Sequence, residues 1–247
     1  MVFTFETHHF KVLGLLVIMI PAWFFFGCAI SPQSSHIDDF ESDGYYEPLP
    51  SLGKKGYFIK QLAPEVYFFS TGAYNNLFIV TSEGVVITDP IKGKGKLLRK
   101  AISEVTSQPV RFMIYSHSHI DHIGDAHLFA GNGVQIVAQV ETGKALKGYR
   151  DKNRPVPHIN FGTNYSLSIG GITIELMYMG EGHGKGNSIV YIPSRKIMMY
   201  VDTVTPKSVP FKNFAYTVDI YNQMKAIEKA LKLDFKVYVA GHLHRPG

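Results

Sequence analysis

Residues 110–124 read "VRFMIYSHSHIDHIG", an apolar run rich in β-branched and aromatic residues followed at once by three histidines and an aspartate within six positions. The run has strand character. His117, His119, Asp121 and His122 therefore fall in the loop at a strand's carboxyl end, where a rigid scaffold commonly presents functional groups. His117 and His119 are two apart and can converge on one ion, whereas Asp121 and His122, a step further round the loop, point elsewhere and can serve a second. Imidazole together with carboxylate suits zinc, and also iron or manganese.

Working outward, "YFIKQLAPEVYFFS" (57–70) and "NLFIVTSEGVVITD" (76–89) are strand-like, the second broken by a hairpin turn at "SEG". Between them and "VRFMIYS" lies "GKLLRKAISEVTSQP" (95–109), with Leu97, Leu98, Ala101, Ile102 and Val105 at helical spacing and Pro109 closing the segment. A short helix "DAHLFAG" (125–131) and a strand "VQIVAQ" (134–139) follow, then a polar stretch (148–164) without period that reads as loop. Strands return at 171–179, 187–193 and 196–202. A helix over 219–234 sets Ile220, Met224, Ile227 and Leu231 on one face, and the strand "FKVYVAG" (235–241) delivers "HLH". This order predicts an α+β chain built as a four-layer αββα sandwich, two mixed sheets flanked by helices.

One loop cannot complete two metal shells. Three further candidates stand where apolar strand runs end: His183 in "GEGHGKGNS", Asp202 in "MMYVDTVTP" and His242 in "VAGHLHRPG". His117-x-His119-x-Asp121-His122 followed by His183, Asp202 and His242 resembles the motif of the metallo-β-lactamase superfamily. The resemblance covers residues 57–247 and extends to Asn75 or Asn76, to "VVITDP" with Asp89, and to "GHGKGNSIVYIPSRKIMMYVD". It implies the αββα fold and a site of two divalent ions, zinc first and iron or manganese as alternatives. His117, His119 and His183 would hold the first ion, Asp121, His122 and His242 the second, and Asp202 would bridge them. Asp121 would also be catalytic, orienting the attacking water or taking its proton, and Asp89 would orient a ligating imidazole.

The activity so implied is hydrolysis of an ester, lactone, thioester or amide bond in a small molecule. Aspartate at 202, where the best-known β-lactamases of the family carry cysteine, weakens a β-lactamase reading without removing it. A mononuclear iron dioxygenase of thiol persulfides shares the first-ion ligands, and an exported metal-binding protein without chemistry is a further alternative. Phe211, Phe214 and Tyr216 are either pocket lining near Asp202 or packing under a loop. Tyr149, Arg150 and Lys152 are either contacts for a substrate carboxylate or solvated loop, and His158 and His244 read as structural or solvated.

The remaining features concern location and partners. Lys11 precedes a short apolar run that ends at Gly27 and Cys28, the form of a secretory or lipoprotein signal over 1–28 or of a retained anchor. Residues 29–56 read as a flexible tether. The expected location is therefore outside the cytoplasm, in the periplasm or envelope, with membrane attachment through Cys28. The single cysteine excludes a disulfide within the chain. Lys and Arg number 25 against 20 acidic residues and are scattered, so no nucleic-acid partner is expected. The local cluster "KGKGKLLRK" (92–100) lacks phosphate-loop spacing and reads as a flexible turn into a helix. The sequence stops five residues after His242, which is expected either of a domain truncated at its carboxyl end or, if the chain ends there, of a last strand without cover and a mobile His242 loop.

Overall fold

The structure is a computed structural model that describes residues 51–206, 208 and 212–243. The segment 1–28, Cys28 and the tether up to residue 50 lie outside the described residues, as do Phe211 and His244. Among the described residues no helix is long and apolar enough to cross a membrane.

A seven-stranded sheet runs in chain order: β1 (Phe58–Ala63), β2 (Val66–Ser70), β3 (Asn75–Thr81), β4 (Gly84–Thr88), β5 (Val110–Ile114), β6 (Gln135–Gln139) and β7 (Ile159–Phe161). Pairing is antiparallel from β1 to β4 and parallel from β4 to β7. The change of direction follows from the connections. Short turns join the first four strands, while parallel neighbours need a crossover, supplied by α1 (Gly95–Val105) before β5 and α3 (Val140–Tyr149) before β7. A second sheet has the order β12-β11-β10-β9-β8, with β8 (Asn164–Ile169), β9 (Ile172–Tyr178), β10 (Ser188–Ile192), β11 (Ile197–Met199) and β12 (Val237–Val239). Here α4 (Lys212–Tyr216) and α5 (Ile220–Ala230) lie in the crossover from β11 to β12, the one parallel pair of this sheet.

Strand alternation explains why the sheets stack. In β2, β3 and β10, Val66, Phe68, Leu77, Ile79, Val190 and Ile192 face a core between the sheets. Their neighbours turn outward: Phe69 and Phe78 pack with Leu98, Ala101 and Ile102 of α1, and Ile189 and Tyr191 pack with Ala226 and Ala230 of α5. Each central strand is thus apolar on both faces, and the result is the expected αββα arrangement.

Three local expectations need correction. The stretch 148–164 is not all loop, because it contains β7, and β8 follows it. Only Leu167 and Ile169 of β8 are buried, between serines, so its period of two is written mostly in polar residues. Helix α3 was not expected at all; it buries Thr142 and Leu146 and carries two glycines, a weak apolar stripe. Finally, the turn before α1 is pinned rather than flexible: Lys92 N–H donates to Asp121 O (3.0 Å) and Gly95 N–H to Asp125 Oδ2 (2.8 Å).

Candidate metal centre

The first cluster sits where β5 ends. Ser188 N–H, at the start of β10, donates to Ser116 O at 2.9 Å, so the two sheets are joined directly beneath it. The chain then turns into α2 (Ile120–Ile123), a single helical turn that replaces the expected loop and sends Asp121 and His122 to a different side from His117 and His119. His183 lies between β9 and β10. Asp202 follows β11 with φ of 59°, a left-handed conformation that aspartate tolerates better than most residues. Asn187 supports it, its Nδ2 donating to Val201 O at 2.9 Å. His242 follows β12.

These chain ends bring together two groups, His117, His119, His183 and Asp202 in one and Asp121, His122, Asp202 and His242 in the other, with one atom per residue all within 4.8 Å of one another. Asp202 belongs to both. Its carboxylate lies 3.0 Å from His122 Nε2, 3.2 Å from His183 Nε2, 3.1 Å from His242 Nε2 and 3.7 Å from His117 Nε2. His183 Nε2 and His119 Nδ1 approach to 3.1 Å, and His122 Nε2 and His242 Nε2 to 3.2 Å.

The donor set fits divalent ions on an observation independent of any family. His117 Nε2 is buried without a hydrogen-bond partner, and buried Asp202 Oδ1 makes no well-formed hydrogen bond although His242 Nε2 approaches it to 3.1 Å. Buried polar atoms are rarely left so, and here they stand among the ring nitrogens and carboxylate oxygens of the two groups. The electrostatics agree. Burial, then the neighbouring imidazoles, holds His117 well below its ordinary range, so the imidazole is neutral and could coordinate an ion. Burial opposes the charge on Asp202, yet facing His122, His183 and His242 outweigh it and keep the carboxyl well below its usual value. Burial likewise opposes a proton on His122, but Asp202, Asp89 and Asp121 outweigh it and raise the imidazole to about 9.

The surrounding residues refine the sequence reading. Asp89 does not touch a histidine; it accepts from Ser116 N–H (2.8 Å) and Ser116 Oγ–H (2.6 Å), and Ser116 Oγ lies 2.9 Å from His117 Nδ1. Its orienting role is thus relayed, because Asp89 belongs to a neighbouring strand end and reaches only the residue before His117. Both asparagines named from sequence are buried: Asn76 Nδ2 donates to Asp89 O at 3.0 Å, and Asn75 Nδ2 to Ala240 O at 3.2 Å and to Leu243 O. Asn75 N–H donates to Gly241 O (2.8 Å), Leu243 N–H to Ala73 O (3.1 Å), and Tyr74 forms a β-bridge with His242. The His242 segment is therefore tied to the start of β3 by backbone hydrogen bonds and an isolated β-bridge. Tyr74, unforeseen, covers this side with its ring 4.6 Å from that of His242.

Other expected residues lie apart. His158 Nδ1 accepts from Ile136 N–H at 3.0 Å, a sheet-edge contact. Arg150 ends α3 with φ of 52°, and Tyr149 stacks beneath Arg154. Phe214 and Tyr216 are exposed. Sequence reasoning passed over Ser116 and Asn187, although each stands inside a stretch already singled out.

Comparison with known proteins agrees with this geometry. The model of the metallo-beta-lactamase superfamily matches residues 71–242. The chain is 32% identical over 188 residues to the 2,4-dinitroanisole O-demethylase subunit alpha of Nocardioides sp. (strain JS1661), covering 73% of this chain and 56% of that subunit. It is 26% identical over 197 residues to the metallo-beta-lactamase type 2 of Elizabethkingia meningoseptica, covering 74% of this chain and 78% of that protein. Among solved structures, a metallo-beta-lactamase from Pontibacter korlensis superposes with a TM-score of 0.69 at 23% identity, over 77% of this chain and 93% of that one, a likeness of fold. With the family match spanning more than half of its 247 residues, the chain belongs to the metallo-beta-lactamase superfamily.

Proposed function

We propose that this protein is a metal-dependent hydrolase that directs water at an ester, lactone, thioester or amide bond of a small molecule. The observation that carries the reading is the buried Asp202 carboxylate shared by two complete donor groups. His117, His119 and His183 would hold one divalent ion, Asp121, His122 and His242 the other, and Asp202 both. Two such ions, zinc being the one this donor set suits best, lower the pKa of a water and polarise a carbonyl or phosphoryl oxygen. Asp121 has a side chain 38% exposed against 4% for Asp202, so it is the carboxylate positioned to meet the attacking water and receive its proton. The Asp89–Ser116–His117 relay keeps one imidazole in a single orientation.

Exposed apolar side chains stand next to the donors in sequence: Ile120 beside His119 and Asp121, Leu243 beside His242, and Val204 two residues after Asp202. Val218, also exposed, donates its N–H to His183 O at 3.3 Å. They favour an uncharged substrate with an apolar group beside the scissile bond. The likeness to the O-demethylase subunit supports including aryl methyl ethers among the candidates, and the likeness to a metallo-beta-lactamase supports including β-lactams. We also place the domain outside the cytoplasm, tethered through the amino-terminal segment. Fractionation with Cys28→Ser tests that: the unsubstituted protein is expected in the membrane fraction and Cys28→Ser without lipid attachment, whereas recovery of the unsubstituted protein in the cytoplasmic fraction refutes it.

The test of function is metal analysis followed by turnover. Near two equivalents of zinc or iron per chain are expected, with hydrolysis of an aryl ester, lactone, thioester or β-lactam that stops on chelation and in His117→Ala or Asp121→Ala. A metal-free, chelator-insensitive protein, or activity surviving both substitutions, sinks the proposal.

A further inference from the structure

Among the described residues, Arg154 is the one guanidinium hydrogen-bonded to the histidine cluster. Its Nη1 donates to Ser118 O at 2.7 Å, the peptide carbonyl between His117 and His119. Its Nε donates to Asp151 Oδ2 at 2.7 Å, and its guanidinium lies 4.8 Å over the ring of Tyr149 at the end of α3. The side chain is 11% exposed, so two of its polar contacts and one ring face fix it in place. The segment that carries it is itself strapped to the cluster: Tyr115 Oη–H donates to Pro155 O at 3.1 Å and His127 N–H to Asn153 O at 3.0 Å.

We propose that Arg154 is a positioning residue for the first ion, setting the separation of the His117 and His119 imidazoles through the Ser118 peptide. Rotation of the Ser118–His119 peptide moves the two side chains relative to each other, because Ser118 stands between them. Nothing else described here holds Ser118 O, and a charge-assisted bond to a carbonyl resists rotation more than a neutral one. Asp151 keeps the fork from swinging away, and its own carboxyl is held low by the Asn153 N–H and by Arg154. The second group, by contrast, sits on α2 and on the segment tied down at His242, which Arg154 does not touch.

The inference rests on the two-ion reading and is separable from it. Co(II) binding is measured by absorbance and calorimetry on the full chain in two backgrounds: His242→Ala, which leaves the His117, His119 and His183 group whole, and His119→Ala, which leaves the Asp121, His122 and His242 group. Arg154→Ala should weaken Co(II) binding roughly tenfold to a hundredfold in the first background, the range typical of lost support around a ligand, and change its visible spectrum. In the second background the change should stay below about threefold. Arg154→Lys, which keeps the charge without the fork, should recover part of the loss. Equal effects in both backgrounds, or loss of cooperative melting in both Arg154 variants, assigns Arg154 to general stability, and either of these outcomes, or no effect in either background, overturns the proposal. Absence of Co(II) binding in both unsubstituted backgrounds overturns the two-ion reading together with it.

Discussion

Gly241, immediately before His242, offers a sharp test of how the centre is assembled. A Cβ added there would lie 2.4 Å from Val201 Cγ1, 2.8 Å from His122 Cε1 and 3.0 Å from Asp202 Oδ1. Carbon atoms in contact prefer about 3.5–4.0 Å, so Gly241→Ala demands a shift of roughly 1 Å. Val201 is fully buried in the core between the sheets and cannot yield cheaply. The backbone of Gly241 does not have positive φ, so alanine adds bulk without a conformational penalty. Overpacking of this kind costs about 1–3 kcal/mol. For a domain of this size that lowers Tm by about 2–12 °C. The same displacement moves His122 and Asp202, and misplacement by about 1 Å can reduce turnover about a hundredfold. Differential scanning calorimetry of the protein without ions reads the first effect, and metal content with turnover reads the second. Gly184→Ala is the control: it too adjoins a histidine, but its added Cβ meets nothing nearer than His119 Nε2 at 3.7 Å, so a Tm change of about 1 °C or less is expected. If Gly241→Ala leaves melting and metal content untouched, or if Gly184→Ala matches it, the close approach beneath the site is not what sets its geometry.

Further outcomes follow from other parts of the structure. Leu77→Ala, at a fully buried position between the sheets, should cost about 2–5 kcal/mol in urea unfolding with little change in the second donor group. Ser116→Ala removes the hydroxyl that joins Asp89 to His117; the buried carboxylate loses a bond worth about 1.5–3 kcal/mol, and zinc retention against a competing chelator should fall about tenfold or more. Zinc held at about a hundred times its dissociation constant should raise the unfolding free energy by about 2.7 kcal/mol, a gain abolished in Asp202→Ala, the residue common to both groups. A zinc-independent melting curve for the unsubstituted protein would contradict that expectation.

Much of the fold was legible in the chain. Runs such as "NLFIVTSEGVVITD" and "SIVYI" are apolar on both faces, and a strand of that kind must be covered on both sides, which leads to stacked sheets with helices outside. Helix α1 announced itself by Leu98, Ala101 and Ile102. Elements with little apolar content were not legible: β8 buries two side chains and α3 buries Thr142 and Leu146, so neither carries a clear period. The donors could be named because each ends a strand run in a residue type that metals take. Their separation into two groups meeting at Asp202 involves residues up to 125 positions apart, from His117 to His242, and no local pattern encodes a distance of that kind.

The sequence by itself determined which side chains have metal chemistry and which strands they follow, since residue type and hydrophobic period are local properties. Only the tertiary structure decided that Asp89 meets Ser116 and no histidine, that Asn75 and Tyr74 tie down the His242 segment, and that Arg154 reaches across to Ser118 O. Those contacts join segments whose encounter is fixed by sheet order and register, and register is a property of the packed layers, not of any one of them.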